Sequence, residues 1–133
     1  MTSLTRRTFA IGLVATLAGA APGLLAQQPG ARKPQFVYVV RVAPAFHDRA
    51  AWTDKENAIV GRHFVRLQKA TESGQVILAG RTNEALDKTF GLVVFEADNE
   101  EAARQFMNTD PAVEAGLMTA TLHPYGVALL RKP

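Results

Sequence analysis

Gln35-Phe36-Val37-Tyr38-Val39-Val40-Arg41-Val42 decides the architecture. It is β-branched and aromatic, and its apolar residues fall on both alternating faces. Phe36, Tyr38 and Val40 share one face, and Val37 and Val39 share the other. A strand with one face in water alternates apolar and polar residues, so this one predicts a strand covered on both sides. Downstream, Thr53-Asp54-Lys55-Glu56 has the spacing of a capping box, in which the Thr53 and Glu56 side chains satisfy each other's backbone N–H groups. It opens a helix over 54–73 whose apolar stripe contains Ile59, Val60, His63, Phe64, Leu67 and Ala70, with Gly74 placed to end it. Strands are predicted at 75–79 and 89–96, joined by the polar connection 80–89. Asp98 and Glu101 stand at box spacing before a helix to about residue 108, with Ala102, Ala103, Phe106 and Met107 toward its buried side. Asp110 before Pro111 reads as the N-cap of a short helical turn closed by Gly116. A last strand over 117–130 should be interrupted at Pro124, which has no N–H to donate.

The order strand, helix, strand, strand, helix, strand is the split βαβ arrangement of a ferredoxin-like α+β domain, an antiparallel sheet with two helices on one face. The other face is left uncovered although its strands are apolar. A second copy, sheet against sheet, is the expected cover, so a homodimer is expected.

Upstream of this domain, residues 1–26 have the form of an export signal. Thr5-Arg6-Arg7-Thr8-Phe9 resembles a twin-arginine motif, an apolar run follows, and Leu24-Leu25-Ala26 offers small-residue cleavage before Gln27. Pro22-Gly23 breaks the run, so no stable membrane anchor is expected after cleavage; an uncleaved helix is the alternative. Residues 27–34 form a flexible leader and 35–131 the domain. The expected location is periplasmic or secreted.

The chain of 133 residues is 47% hydrophobic and 20% charged, which suits one ordinary globular domain. The absence of Cys excludes disulfides, thiolate metal sites and a cysteine nucleophile. Its net charge of +3 falls to +1 once Arg6 and Arg7 leave with the signal, so no nucleic-acid partner is expected. No Gly-rich phosphate loop or Ser-His-Asp nucleophile is visible, and no cofactor is expected. The three histidines, His47, His63 and His123, lack ligand spacing on one helix, so no metal is expected.

Arg62-His63-Phe64-Val65-Arg66-Leu67, followed by Gly74-Gln75-Val76-Ile77-Leu78-Ala79-Gly80, resembles the YCII-related proteins, in which a helical His precedes a strand of this kind. Asp110-Pro111 with Gly116, and Leu122-His123-Pro124-Tyr125, resemble that family's later segments. The likeness runs from about Phe36 to Leu130 and implies a dimeric α+β barrel. It also implies small-molecule acid–base chemistry by a His–Asp pair, here His63 and Asp110; a dehydrochlorinase of hydroxylated aromatic compounds is among the relatives. Two features depart from the family: Ala112 replaces the aromatic that usually follows Asp-Pro, which should open the pocket wall, and the chain carries an export signal.

A neutral imidazole can move protons near neutral pH, and a carboxylate on one nitrogen sets its tautomer. His63 on a buried stripe is otherwise a core residue, and Asp110 before Pro is otherwise only a cap. Arg81, Tyr38 and Tyr125 are the candidate substrate-binding residues: Arg81 for a carboxylate or phenolate, the tyrosines as pocket lining or plain packing. The expected function is cofactor-free proton transfer, elimination or isomerisation on a small cyclic or aromatic compound. The alternatives are a non-catalytic binding or structural dimer, or a subunit that escorts a larger exported partner.

Overall fold

The computed structural model describes residues 32–131. The expected export signal at 1–26 and residues 27–31 of the leader lie outside the described residues. The end of the leader is tied down: the Ala97 N–H donates to the Pro34 carbonyl at 3.1 Å, and Lys33 pairs with Asp98 at 2.8 Å. Among the described residues no helix is long and apolar enough to cross a membrane.

The chain runs β1 (Gln35–Val42), two 3-10 turns (Pro44–Phe46 and Arg49–Ala51), α1 (Asp54–Glu72), β2 (Val76–Arg81), β3 (Phe90–Glu96), α2 (Glu100–Asn108), α3 (Pro111–Glu114) and β4 (Met118–Tyr125). The four strands form one sheet in the order β2-β3-β1-β4, with every neighbouring pair antiparallel. This is the ferredoxin-like α+β fold anticipated from the order of elements. Both central strands, β1 and β3, pair with a neighbour on each edge.

The core lies between the sheet and its helices. Phe36, Tyr38 and Val40 of β1 and Val93 and Phe95 of β3 meet Leu67 and Ala70 of α1 and Ala103 and Met107 of α2. Fully burying one such side chain stabilises the fold by about 1.5–3 kcal/mol. Aromatic rings add directional contacts: Phe95 lies 4.8 Å from Phe106 between centroids, and Tyr38 meets Phe95 edge-on at 5.7 Å. On the other face Val37 and Val94 are buried, but Leu92 and Leu78, which pairs with Val94, remain exposed.

The capping box forms as expected. Glu56 accepts from the Thr53 N–H at 2.9 Å, and the Thr53 hydroxyl accepts from the Lys55 N–H at 3.2 Å. The Thr53 hydroxyl and N–H hold the Glu56 carboxyl below its ordinary range. Ser73 caps the C-terminus, and Gly74 follows at φ 81°, the left-handed turn only glycine enters without cost.

Three local expectations are corrected. The α2 cap is Asn99, not Asp98: the Asn99 side chain accepts from the Ala102 N–H at 2.8 Å, while Asp98 turns to Lys33. Pro124 does not interrupt β4. It sits in register with Phe36 on an edge strand, where a missing donor costs no ladder partner, and the strand simply ends at Tyr125. β2 extends beyond residue 79, so Gly80 and Arg81 belong to the strand and not to the connection.

Gly91 marks a close approach. A Cβ there would stand 2.7 Å from Val40 Cγ2, inside the buried core face. Gly91→Ala should therefore destabilise the domain by about 1–3 kcal/mol, the usual cost of overpacking. Urea unfolding of the two proteins measures it; equal midpoints would show that Val40 can move aside freely.

Candidate active site

His63 lies in the third turn of α1, and Asp110 caps α3, two elements 47 residues apart in the chain. The Asp110 cap is made by the Ala112 N–H, which donates to Oδ1 at 2.9 Å. The carboxylate then has capacity to spare. Tyr38 of β1 donates its hydroxyl to Oδ2 at 2.8 Å, and His63 Nδ1 lies 2.8 Å from each carboxylate oxygen. One carboxylate thus joins the sheet, α1 and α3. Asp110 is wholly buried, while the His63 side chain keeps 14% of its surface open.

Burial alone would raise the Asp110 carboxyl. The hydrogen bond and charge of His63 oppose it, with the Tyr38 hydroxyl and the Ala112 N–H, and the net position is below the ordinary carboxylate range. Asp110 is therefore ionised near neutrality and can only accept. It follows that His63 Nδ1 carries the hydrogen in the neutral ring, and Nε2 carries the lone pair. The Tyr38 hydroxyl is pushed far up by burial first and by the adjacent Asp110 charge second, so it stays protonated and keeps donating.

A cleft of about 830 Å³ opens between α1 and the β2–β3 half of the sheet, and His63 lines it. With Nδ1 committed to Asp110, Nε2 is the ring atom left for anything the cleft holds. Arg81, from the end of β2, lines the same cleft. So do Arg49 and Trp52, which sequence reasoning passed over. Arg49 stacks on the Trp52 ring at 4.4 Å, and the Trp52 indole N–H donates to the Phe46 carbonyl at 2.8 Å. The only legible trace of this pair was the chain's single Trp three residues after an Arg. Such a cleft offers an imidazole, two arginines, the Glu72 carboxylate and an apolar wall, which suits a small, flat, partly polar molecule.

Neither tyrosine lines the cleft, the first of the two roles expected of them. Tyr38 has no exposed surface and lies behind Asp110, so it supports the pair instead of lining a pocket. Tyr125 ends β4, half-exposed and outside the cleft. Ala112, expected to open a pocket wall, is instead buried against Ile59 and Leu117. His47 and His123 make their own local contacts, with the Val42 carbonyl at 3.0 Å and the Thr121 hydroxyl at 3.3 Å. Among the described residues no three His, Asp or Glu side chains converge as a metal ion would require.

Residues 35–122, more than half of the chain, match the YCII-related domain family. Among solved structures, the chain is similar to 5-chloro-2-hydroxyhydroquinone dehydrochlorinase from Burkholderia phenoliruptrix AC1100, determined in complex with 2,5-dihydroxybenzoquinone. The likeness covers 69% of this chain and 93% of that one, with a TM-score of 0.53 and 16% identity, and so speaks to the shared fold. No curated protein matches the chain.

Proposed function

This chain belongs to the YCII-related domain family, and on that premise we propose that it is a small-molecule acid–base enzyme that needs no cofactor. The observation that carries the reading is the buried Asp110 carboxylate 2.8 Å from His63 Nδ1, with His63 at the wall of a cleft. His63 Nε2 takes a proton from a ring or α-carbon of a small cyclic or aromatic substrate. Asp110 holds the tautomer and stabilises the imidazolium that forms. Arg81 receives a phenolate or carboxylate of the same substrate. In an elimination, the C–H electron pair becomes the new π bond and the leaving group departs with its own pair. The proton then passes from Nε2 to water. In an isomerisation, the same nitrogen returns the proton to a second carbon. That a protein of this fold is named a dehydrochlorinase and is seen with a dihydroxybenzoquinone supports a ring compound as the substrate class.

Two further parts of the reading concern the protein's setting. Thr5-Arg6-Arg7-Thr8-Phe9 and the apolar run after it support export by the twin-arginine route and work in the periplasm. The sheet face away from the helices, where Leu78 and Leu92 are exposed although they also border the cleft, supports a homodimer formed sheet to sheet.

The test uses the full chain with a panel of hydroxylated and halogenated ring compounds in D2O, read by NMR for deuterium incorporation and by halide release. At least one compound should exchange or eliminate faster than in buffer. Binding without any turnover across the panel would leave a ligand-binding protein and overturn the enzyme reading. With a turned-over compound in hand, Arg81→Met should raise KM about 10- to 100-fold, the loss of one charge-assisted contact. Its kcat should stay within about threefold. An unchanged KM would remove Arg81 from the substrate's side of the cleft.

A further inference from the structure

We propose that Arg66 is a positioning residue for the His63–Asp110 pair, aiming a fixed positive charge at the carboxylate from behind. Arg66 follows His63 by three residues on α1, so the two side chains leave the same face of the helix one turn apart. Its guanidinium is held on two sides. Nη2 donates to the Phe106 carbonyl at 2.7 Å and to the Thr109 hydroxyl at 2.9 Å, and the group lies over the Phe106 ring at 4.3 Å.

A guanidinium is a rigid planar fork, so fixing Nη2 also fixes Nη1. Nη1 lies 3.7 Å from Asp110 Oδ2, is itself buried, and has no hydrogen-bond partner among the described residues. That distance is beyond a hydrogen bond but well within Coulomb reach of a wholly buried carboxylate. A buried donor without a partner is costly, and its fixed aim at an anion is a compensation.

Two effects on the pair follow. The charge adds to the hold that His63, Tyr38 and the Ala112 N–H already have on the ionised Asp110 carboxylate, and so to keeping the hydrogen of neutral His63 on Nδ1 and the lone pair on Nε2. The bonds to Phe106 and Thr109 tie the end of α2, and so the approach to Asp110, to the helix that carries His63. Arg66 does not touch the cleft's contents in either role.

This inference rests on the acid–base reading of the same site, but its first test does not need turnover. In full-length protein with 15N-labelled histidine, the imidazole nitrogen shifts report the tautomer. In the parent, the neutral ring should carry its hydrogen on Nδ1. Arg66→Met, which keeps the packing on Phe106 but neither the charge nor the bonds to Phe106 and Thr109, should loosen the His63–Asp110 contact and so shift the ring toward a mixture of tautomers. Arg66→Lys, which keeps the charge but not the fork, should restore the Nδ1–H form in part. With a turned-over compound, Arg66→Met should lower kcat on the order of 10- to 100-fold with KM little changed, as a slight misplacement of the base would. Should Arg66→Met not fold, Thr109→Val removes one bond that aims the fork and carries the same readouts. A folded Met variant with the parent's tautomer and kcat, or a Lys variant no better than Met, would overturn the positioning role. An unaltered rate in His63→Ala would instead overturn the enzyme reading and leave the tautomer result standing.

Discussion

His63→Ala is expected to lower kcat/KM by about 10²- to 10⁴-fold, the range that a positioned general base contributes, while the protein stays folded. The fold should survive because Asp110 keeps the Tyr38 hydroxyl, the Ala112 N–H and the nearby Arg66 charge when the imidazole is gone. The loss should fall mainly on kcat, since the cleft's cations and its Trp52 wall are untouched. Circular dichroism and thermal unfolding check the fold, and steady-state rates on the panel compounds check the chemistry. A rate within about threefold of the parent, in a folded variant, would show that the ring does no proton work.

Asp110 carries the second large effect, and two substitutions separate its roles. Asp110→Ala leaves the Tyr38 hydroxyl, the Ala112 N–H, His63 Nδ1 and the Arg66 charge facing a void. Breaking a buried charged network from one side costs about 3–5 kcal/mol, and Tm should drop on the order of 15 °C or more. Asp110→Asn is gentler on packing and harsher on chemistry. An amide can donate to Nδ1, which moves the ring hydrogen to Nε2 and leaves the cleft facing an N–H instead of a base. Turnover should fall about 10³- to 10⁴-fold with the fold retained. A folded Asn variant with parental rates would show that the tautomer is immaterial.

The same pair predicts a pH dependence of stability. The folded carboxyl lies below its ordinary position, because His63, Tyr38 and the Ala112 N–H outweigh the opposing effect of burial. The stabilisation from ionised Asp110 is thus fully present above the unfolded value of about 3.9. It is lost as pH falls through the folded value. Urea unfolding from neutrality down into that acid range should show a decline in the parent that is shallower in Asp110→Asn.

Much of this could be read from the chain. β1 is legible because a run apolar on both faces has few homes other than a central strand. The Thr53–Glu56 box and Gly74 mark both ends of α1 by backbone rules that act within four residues. The His63 stripe and the Asp110 cap were each visible locally, and the family resemblance joined them. What stayed hidden are contacts across distant segments. Tyr38 reaches Asp110 over 72 residues, and Arg66 reaches Phe106 over 40. No local pattern separates a tyrosine that faces a ligand from one that braces a carboxylate, nor an arginine on a helix surface from one lying on a ring. Box spacing points to Asp98, yet Asn99 is the α2 cap. Asp98 instead pairs with Lys33, which lies before β1 and was assigned to the leader.

The Thr53–Glu56 box has one more consequence. Because it starts α1 at a set residue, it also sets the azimuth at which His63 and Arg66 leave the helix, and each added or deleted residue turns that azimuth by about 100°. Between the cap and His63, therefore, chain length is as constrained as side-chain identity. A single-residue indel there would swing the imidazole off the carboxylate with no other atom changed, whereas the 82–89 hairpin across the cleft has no helical phase to keep. Natural variation in length should accordingly gather in that hairpin and spare the first turns of α1.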